Sequence, residues 1–289
     1  MTEETPGAPV LTAPAKVNLY LHVTGRRADG YHLLDSLIVF TALSDQLELR
    51  PADGMSLITE GAFADNAGPL DDNLVLRAAR ALASAAKVDK GMAARLEKNI
   101  PTAGGLGGGS ADAATALKGL MRLWDIPRDA VDLPTLALKL GADIPVCLAA
   151  ESSFVGGVGE LIEAAPALPG AGLLLVNPGV ALATSSVFAG RRGGFSPPDR
   201  FSESPPNAEA LAGLLSARAN DLTEAAVRLA PVIADVLAAL ESAPGCHLAR
   251  MTGSGATCFG LFDDEAAATN AAGGLQRDGW WVRATHILQ

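Results

Sequence analysis

Aromatic side chains are scarce in this sequence, 2 tyrosines, 3 tryptophans and 8 phenylalanines among 289 residues. A core of this composition rests on aliphatic packing, so an aromatic placed beside a polar motif stands out. Basic residues are in deficit: 22 Lys and Arg stand against 32 Asp and Glu, for a net charge of −10. That excludes a general nucleic-acid binder, which needs a basic surface for phosphate backbones. A small anionic ligand stays open, because helix termini and a few lysines can hold one locally. Cys147, Cys246 and Cys258 lie far apart with no CxxC pair, which is neither a disulfide framework nor a zinc site and suits a reducing compartment. The apolar segment "AGLLLVNPGVALA" is too short to cross a membrane and is interrupted by Pro178. The N-terminal "MTEETPGAPV" has no basic n-region and no apolar h-region, so no signal peptide is expected. The expectation is a cytoplasmic protein with no membrane and no nucleic-acid partner, and the oligomeric state is open between monomer and homodimer.

Hydrophobic residues, by contrast, make up 49% of the chain and charged ones 19%, the balance of a well-packed globular protein of one large or two medium domains. "LTAPAKVNLYLHVTG" alternates, placing Val17, Leu19, Leu21 and Val23 on one face of a strand and Lys16, Asn18, Tyr20 and His22 on the other, polar face. "LIVFTALSDQLELR" reads as two strands separated by a turn at Ser44-Asp45. "DNLVLRAARALASAAK" is a helix that Asn73 or Asp72 can cap. "GMAARLEKNIP" returns as a strand, and "ADAATALKGLMRLW" aligns Ala113, Leu117, Leu120, Met121 and Trp124 on one helical stripe. "DLPTLALKLGADIPVCLAA" is a helix ending near Gly141, with Asp143 in the turn before the next strand. "ESSFVGGVGELIEA" suggests a hairpin and "AGLLLVNPGVAL" a buried strand. Residues 190–207, "GRRGGFSPPDRFSESPPN", are expected to form a long mobile surface loop. Helices broken near Pro231, a strand–glycine turn–strand, a helix and a last strand complete the chain. Strands and helices mix irregularly, which favours an α+β fold over a doubly wound sheet, and a two-domain division falls near residue 160, as 1–160 and 161–289.

The feature that needs a reason is "KNIPTAGGLGGGSADAATALKGL", where five of the six residues from Gly104 to Gly109 are glycine and a helix follows at once. Such backbone freedom costs stability unless the backbone itself is required. Helix N-termini carry unpaired N–H groups and the positive end of the dipole, and glycines in front of them let those groups fold around an anion. The reading is a phosphate cradle, with Ser110 able to cap the helix. A flexible hinge or a close helix–strand packing site is the alternative. Neither common phosphate loop fits: Ser110-Ala111 stand where a P-loop needs Lys-Ser/Thr, and Ser110 stands where a dinucleotide fingerprint needs its third glycine. On their own, the glycines of "MTGSGATCFGLF" read as a hairpin or bulge, Lys16 as part of a solvated face, and Asp143 as an ordinary turn residue.

Taken together, "PAKVNLYL", "PTAGGLGGGSADAA" and "MTGSGATCF" resemble, in order and spacing, the three motifs of the GHMP kinases. "PAKVNLYLHVTGRRADGYHLLDSL", "GADIPVCL", "GVGE" and "NPGVALAT" are similar to the branch that phosphorylates cytidine-diphospho-methylerythritol in the non-mevalonate isoprenoid pathway, and "RRADGYH" is the most specific part of that likeness. The resemblance implies a two-domain GHMP kinase fold. Its N-terminal ATP-binding domain resembles domain 2 of ribosomal protein S5, and its C-terminal domain is ferredoxin-like. ATP, with Mg²⁺, is the implied phosphoryl donor, and the acceptor is the 2-hydroxyl of the methylerythritol moiety. The implied phosphate loop comprises Pro101, Thr102, Ala103, Gly104, Gly105, Leu106, Gly107, Gly108, Gly109, Ser110 and Ala111. Asp143 matches the catalytic Asp, a general base for the attacking hydroxyl. Lys16 matches the catalytic Lys, which beside Asp143 would favour the ionised carboxylate. Asn18 would bind the methylerythritol end, Tyr31 and His32 match the cytosine-binding pair, Thr184 lines the acceptor site, and Phe188 is a second aromatic over the base. Ser110 is the candidate for Mg²⁺, whose ligands the sequence does not otherwise display. This chain departs from the family pattern at "ALATSSVF", where Ala183 and Ser185 stand in place of prolines. The rivals are another small-molecule kinase of the superfamily, such as a homoserine or mevalonate kinase, or a catalytically silent nucleotide-binding regulator.

Overall fold

In the computed structural model, which describes residues 9–66 and 72–289, the alternating N-terminal segment is strand β1, Val10–Arg26. The stretch on which the absence of a signal peptide is expected falls almost wholly outside the described residues. β1 departs from its expected character in one respect. From Ala15 to Val23 every residue is buried, so Lys16, Asn18, Tyr20 and His22 face protein rather than solvent. The polar face is buried because each of these side chains has a partner: the Lys16 ammonium donates to Asn18, the Tyr20 hydroxyl donates to Asp35, and His22 Nδ1 lies 3.1 Å from the Pro197 carbonyl oxygen.

Two compact units are built from interleaved stretches of chain. The first takes Ser44–Thr102 and Gly108–Leu148 with the chain up to Pro14; the second takes Ala15–Leu43, Ala103–Gly107 and Ala149–Gln289. Packing therefore does not divide the chain at one residue, and β1 and β2 (His32–Ala52) each run through from one unit into the other.

In the first unit, the later half of β2 pairs antiparallel with β4 (Gly91–Glu97), Leu47 opposite Leu96 and Leu49 opposite Ala94. β4 pairs in parallel with β3 (Met55–Glu60), and the connection between them carries α1 (Leu74–Ala86). Asn73 caps α1 by accepting from the Val75 N–H at 2.9 Å. α1 packs on α2 (Gly108–Leu123), which buries Ala113, Leu117, Leu120 and Met121 as its stripe requires. α3 (Leu133–Leu140) and the short α4 (Ile144–Ala149) follow. β2 is one unbroken strand, without the turn expected at Ser44-Asp45. Asp45 is fully buried, and its carboxylate accepts from the Asn99 and Ile100 N–H groups at 2.6 and 2.9 Å and from the Lys98 ammonium. A turn-forming residue type is thus held in a strand by tertiary partners.

In the second unit, the early half of β2 pairs with β5 (Ser153–Gly157), which forms the expected hairpin with β6 (Leu161–Ala164). A four-stranded antiparallel sheet has the order β10-β7-β9-β8, from β7 (Gly172–Asn177), β8 (Leu248–Met251), β9 (Cys258–Phe262) and β10 (Trp281–His286). All six residues of β7 are buried. α5 (Thr184–Gly190), α6 (Ala208–Ser216) and α7 (Thr223–Leu229) lie between β7 and the helix α8 (Val232–Glu241), which packs with α9 (Glu265–Ala272) on this sheet. Residues 191–206 lack regular structure but are not the mobile loop expected. Ser196 donates its N–H to the Val23 carbonyl, Asp199 donates its N–H to Asp35, Arg200 pairs with Asp35 at 2.7 Å, and Phe201 is buried edge-on to Phe154. Prolines and serines suggested mobility, whereas the arginines and Phe201 between them supply the anchors.

Candidate active site

Five segments of the second unit meet around Lys16. The Lys16 N–H donates to the Leu106 carbonyl, and its ammonium donates to Asn18 Oδ1 at 3.1 Å. Gly107 lies so close that a Cβ on it would stand 3.1 Å from Lys16 Cε. Asn18 donates its backbone N–H to Thr252 Oγ1 and its amide to Ser36 Oγ, each at 2.8 Å. The loop 252–256 in turn lies against the glycine loop. Thr257 donates its N–H to the Gly104 carbonyl, a Cβ on Gly105 would stand 2.5 Å from the Thr252 carbonyl oxygen, and one on Gly253 would stand 2.9 Å from that of Gly105. Both glycines have positive φ, +80° and +56°, so two glycine clusters need each other's lack of side chains. Asn220 fixes the second cluster from behind, donating to the Met251 and Gly253 carbonyls. Thr184 reaches the same loop, its hydroxyl 2.9 Å from Ser254 Oγ.

Further along β1 and β2, the His32 ring stacks on Phe188 with centroids 5.0 Å apart and planes 25° apart. Phe188 thus has His32 as its partner, while Tyr31 is 67% exposed, so the arrangement differs from two aromatics facing one another across a base. Burial, then the cations Arg26 and Arg191, push the His32 imidazole below its usual pKa, which keeps the ring neutral at pH 7 with one donor and one acceptor nitrogen.

The first unit holds the remaining predicted residues. α2 begins at Gly108, so Gly108, Gly109, Ser110 and Ala111 form its first turn and Ser110 is not the cap that its residue type suggested. Asp143 leads into a helix rather than a strand. Its carbonyl accepts from the Cys147 N–H, and Pro145 sits in the first turn of α4, where proline's missing N–H has no helical partner to lose. Below the start of α2, Lys98 bridges the buried carboxylates of Asp45 and Asp112. Burial opposes the Lys98 charge, but the two carboxylates together raise its pKa above the ordinary lysine value. Burial pushes the Asp112 carboxyl up to about 7, against the pull of Lys98, and its Oδ1 has no partner among the described residues. Sequence reasoning missed Ser36, Thr252, Asn220 and this charge triad. A polar residue within an apolar strand was the available signal for Ser36; Asn220 carried none.

Comparison with known proteins gives the chain a family. The sequence profile of the GHMP kinases N terminal domain matches residues 73–151, and that of the GHMP kinases C terminal domain matches residues 204–279. A 4-diphosphocytidyl-2-C-methyl-D-erythritol kinase of Paramagnetospirillum magneticum is 52% identical over 280 residues, covering 96% of this chain and 98% of its own. The chain belongs to the GHMP kinases.

A GHMP kinase takes ATP as phosphoryl donor. The Rhodospirillum rubrum enzyme of the same name is 50% identical over 278 residues, 96% of this chain and 91% of that one. A crystal structure of 4-(cytidine 5'-diphospho)-2C-methyl-D-erythritol kinase superposes with a TM-score of 0.77 at 35% identity, covering 97% of this kinase and all of the other. A homoserine kinase from Cytophaga hutchinsonii, at 18% identity and a TM-score of 0.71 over 99% of this chain and 96% of its own, shares the fold. No helix among the described residues of this kinase is long and apolar enough to cross a membrane.

Proposed function

We propose that this GHMP kinase moves the γ-phosphoryl group of ATP to the 2-hydroxyl of cytidine-diphospho-methylerythritol. Asp143 takes the proton of the attacking hydroxyl, the new P–O bond forms as the bond to the β-phosphate oxygen breaks, and ADP leaves. Lys16 supplies positive charge to the phosphoryl group in flight, and Asn18 binds the methylerythritol end. The backbone N–H groups of residues 101–111 hold the nucleotide phosphates. Among the described residues no cluster of three His, Cys, Asp or Glu could hold a metal ion by itself. Mg²⁺ carried by nucleotide phosphates needs only one or two protein oxygens, for which the Ser110 hydroxyl fits, and it would neutralise charge on the phosphates.

The observation that carries the acceptor assignment is the His32–Phe188 stack. It joins two distant segments, both picked out by the sequence resemblance as cytosine-binding, into one aromatic platform with a neutral imidazole at its edge. The acceptor of a homoserine or mevalonate kinase carries no base for such a platform to stack. We also propose that residues 1–160 and 161–289 correspond to the two domains of the family, and that the enzyme works in the cytoplasm on the small molecules ATP and cytidine-diphospho-methylerythritol, as a monomer or a homodimer. An ADP-release assay with cytidine-diphospho-methylerythritol, homoserine and mevalonate tests the reading, which predicts turnover of the first alone. The uridine analogue presents an acceptor where cytosine presents an amino donor, so its kcat/KM is expected to be lower. Equal kcat/KM for the two bases would remove cytosine recognition from the reading.

A further inference from the structure

Ser36 lies in β2 beside the catalytic lysine's partner and is 2% exposed. Its hydroxyl has two neighbours, the Tyr20 carbonyl oxygen and the side-chain amide of Asn18. A carbonyl can only accept, so the single proton of Ser36 is committed to Tyr20. The Ser36 oxygen is then an acceptor toward Asn18, and the amide nitrogen must be the atom that faces it. This fixes the amide the other way round at its far end, where Oδ1 receives the Lys16 ammonium at 3.1 Å. With the amide reversed, its NH₂ would confront the ammonium and its oxygen would confront the lone pairs of Ser36. The Asn18 backbone is itself anchored, its N–H donating to Thr252 Oγ1 at 2.8 Å. Lys16, Asn18, Tyr20, Ser36 and Thr252 are all buried, so water does not substitute for a lost partner.

We propose that Ser36 is a positioning residue for phosphoryl transfer: through Asn18 it sets the amide orientation that holds the Lys16 ammonium in place. The proposal rests on the reading of Lys16 given above. Removing the hydroxyl frees the amide to flip and leaves Lys16 facing either rotamer. Loss of a hydrogen bond to a charged group placed for the transition state corresponds to about tenfold in rate.

The experiment measures kcat and both KM values for Ser36→Ala, Ser36→Cys, Ser36→Thr, Lys16→Met and the double variant Ser36→Ala/Lys16→Met, with thermal unfolding confirming that each is folded. Ser36→Ala is expected to lower kcat about tenfold while the KM for ATP stays within about twofold, and Ser36→Thr, which keeps the hydroxyl on a strand-compatible side chain, restores most of it. Ser36→Cys, nearly isosteric but a weak acceptor, reports the same loss in smaller measure should the alanine variant fold poorly. In the Lys16→Met background, Ser36→Ala should cost nothing further, because its effect passes through the ammonium. An active Lys16→Met enzyme overturns the reading of Lys16 and this proposal with it. A Lys16→Met enzyme cut to a low but measurable turnover, beside fully active alanine and cysteine variants, overturns this proposal alone, as does an undiminished Ser36→Ala effect on that residual turnover.

Discussion

Gly105 adopts φ +80°, and any Cβ there meets the Thr252 carbonyl oxygen at 2.5 Å. Gly105→Ala therefore strains its own backbone by about 1–2 kcal/mol and also drives the two glycine loops apart. The expected outcome is a KM for ATP raised about tenfold or more, together with a lower unfolding midpoint in urea; an unchanged KM in the folded variant would place the phosphates elsewhere. Asp143→Asn retains the shape of the side chain and removes its basicity. It is expected to lower kcat by about 10²–10⁴ with little change in either KM, and steady-state kinetics within a few-fold of the parent would take Asp143 out of the mechanism. The glycine run was legible at this scale, because the freedom that positive φ and close approach require is a local property of the residue type. Ser36 was not, since its role depends on a carbonyl 16 positions away in the chain.

Elements show where residue type and environment disagree. The Pro- and Ser-rich stretch of residues 190–207 is pinned by Arg200, which reaches Asp35 and Glu163 at 2.7 and 2.8 Å, and by Arg218, which reaches Asp199 at 2.9 Å. Asp35 is buried and also accepts from the Tyr20 hydroxyl, whose pKa is raised by burial and then by the carboxylate. Arg200→Ala leaves that carboxylate buried with two neutral donors, so the expected loss is about 3 kcal/mol of stability, with faster proteolysis between residues 190 and 207 under native conditions. At the junction of β2, β4 and α2, Asp112 is raised from its ordinary 3.8 to about 7, chiefly by burial. The native state then binds more protons than the unfolded chain between those values, so this group makes the protein less stable as pH rises from about 4 to about 7. The paired Lys98, with its pKa raised, contributes stability that is present below its ordinary 10.5 and lost only as pH rises past its folded value. Asp112→Asn is expected to flatten the stability slope over the lower window and to bring the alkaline loss to lower pH, because it removes one of the two carboxylates that raise the Lys98 pKa; urea unfolding at a series of pH values follows both.

For the molecule as a whole, the interleaving of the chain has a consequence that a division near residue 160 does not suggest. The core of the second unit includes Leu21 and Val23 of β1 together with Leu174, Val176, Val236 and Phe262. A fragment of residues 161–289 contains the four-stranded sheet but lacks those two buried side chains and the β1 backbone that pairs Leu21 with Asn220. Such a fragment is expected to show no cooperative thermal unfolding by near-UV circular dichroism, whereas the intact chain does; a sharp transition in the fragment would mean that β1 is dispensable to this core. The family profiles match two separate segments of sequence, yet the physical units that pack are not those segments.

By itself the sequence determined the elements whose information is periodic or local: the alternation of β1, the capped helix α1, the hairpin of β5 and β6, the α+β class, and a glycine loop running into a helix. It also carried the family, because three short motifs keep their order along the chain. Only the tertiary structure decided that both faces of β1 are buried, that Asp45 lies in a strand, that α4 follows Asp143, and that residues 191–206 are anchored. For β1, Asp45 and residues 191–206 the deciding partner is remote in sequence: Ser36 and Thr252 for Asn18, Lys98 and the Asn99 and Ile100 amides for Asp45, Asp35 for Arg200. The physical reason is that a buried polar group costs free energy unless it is paired, and the pairs are chosen by the folded chain rather than by neighbours along it.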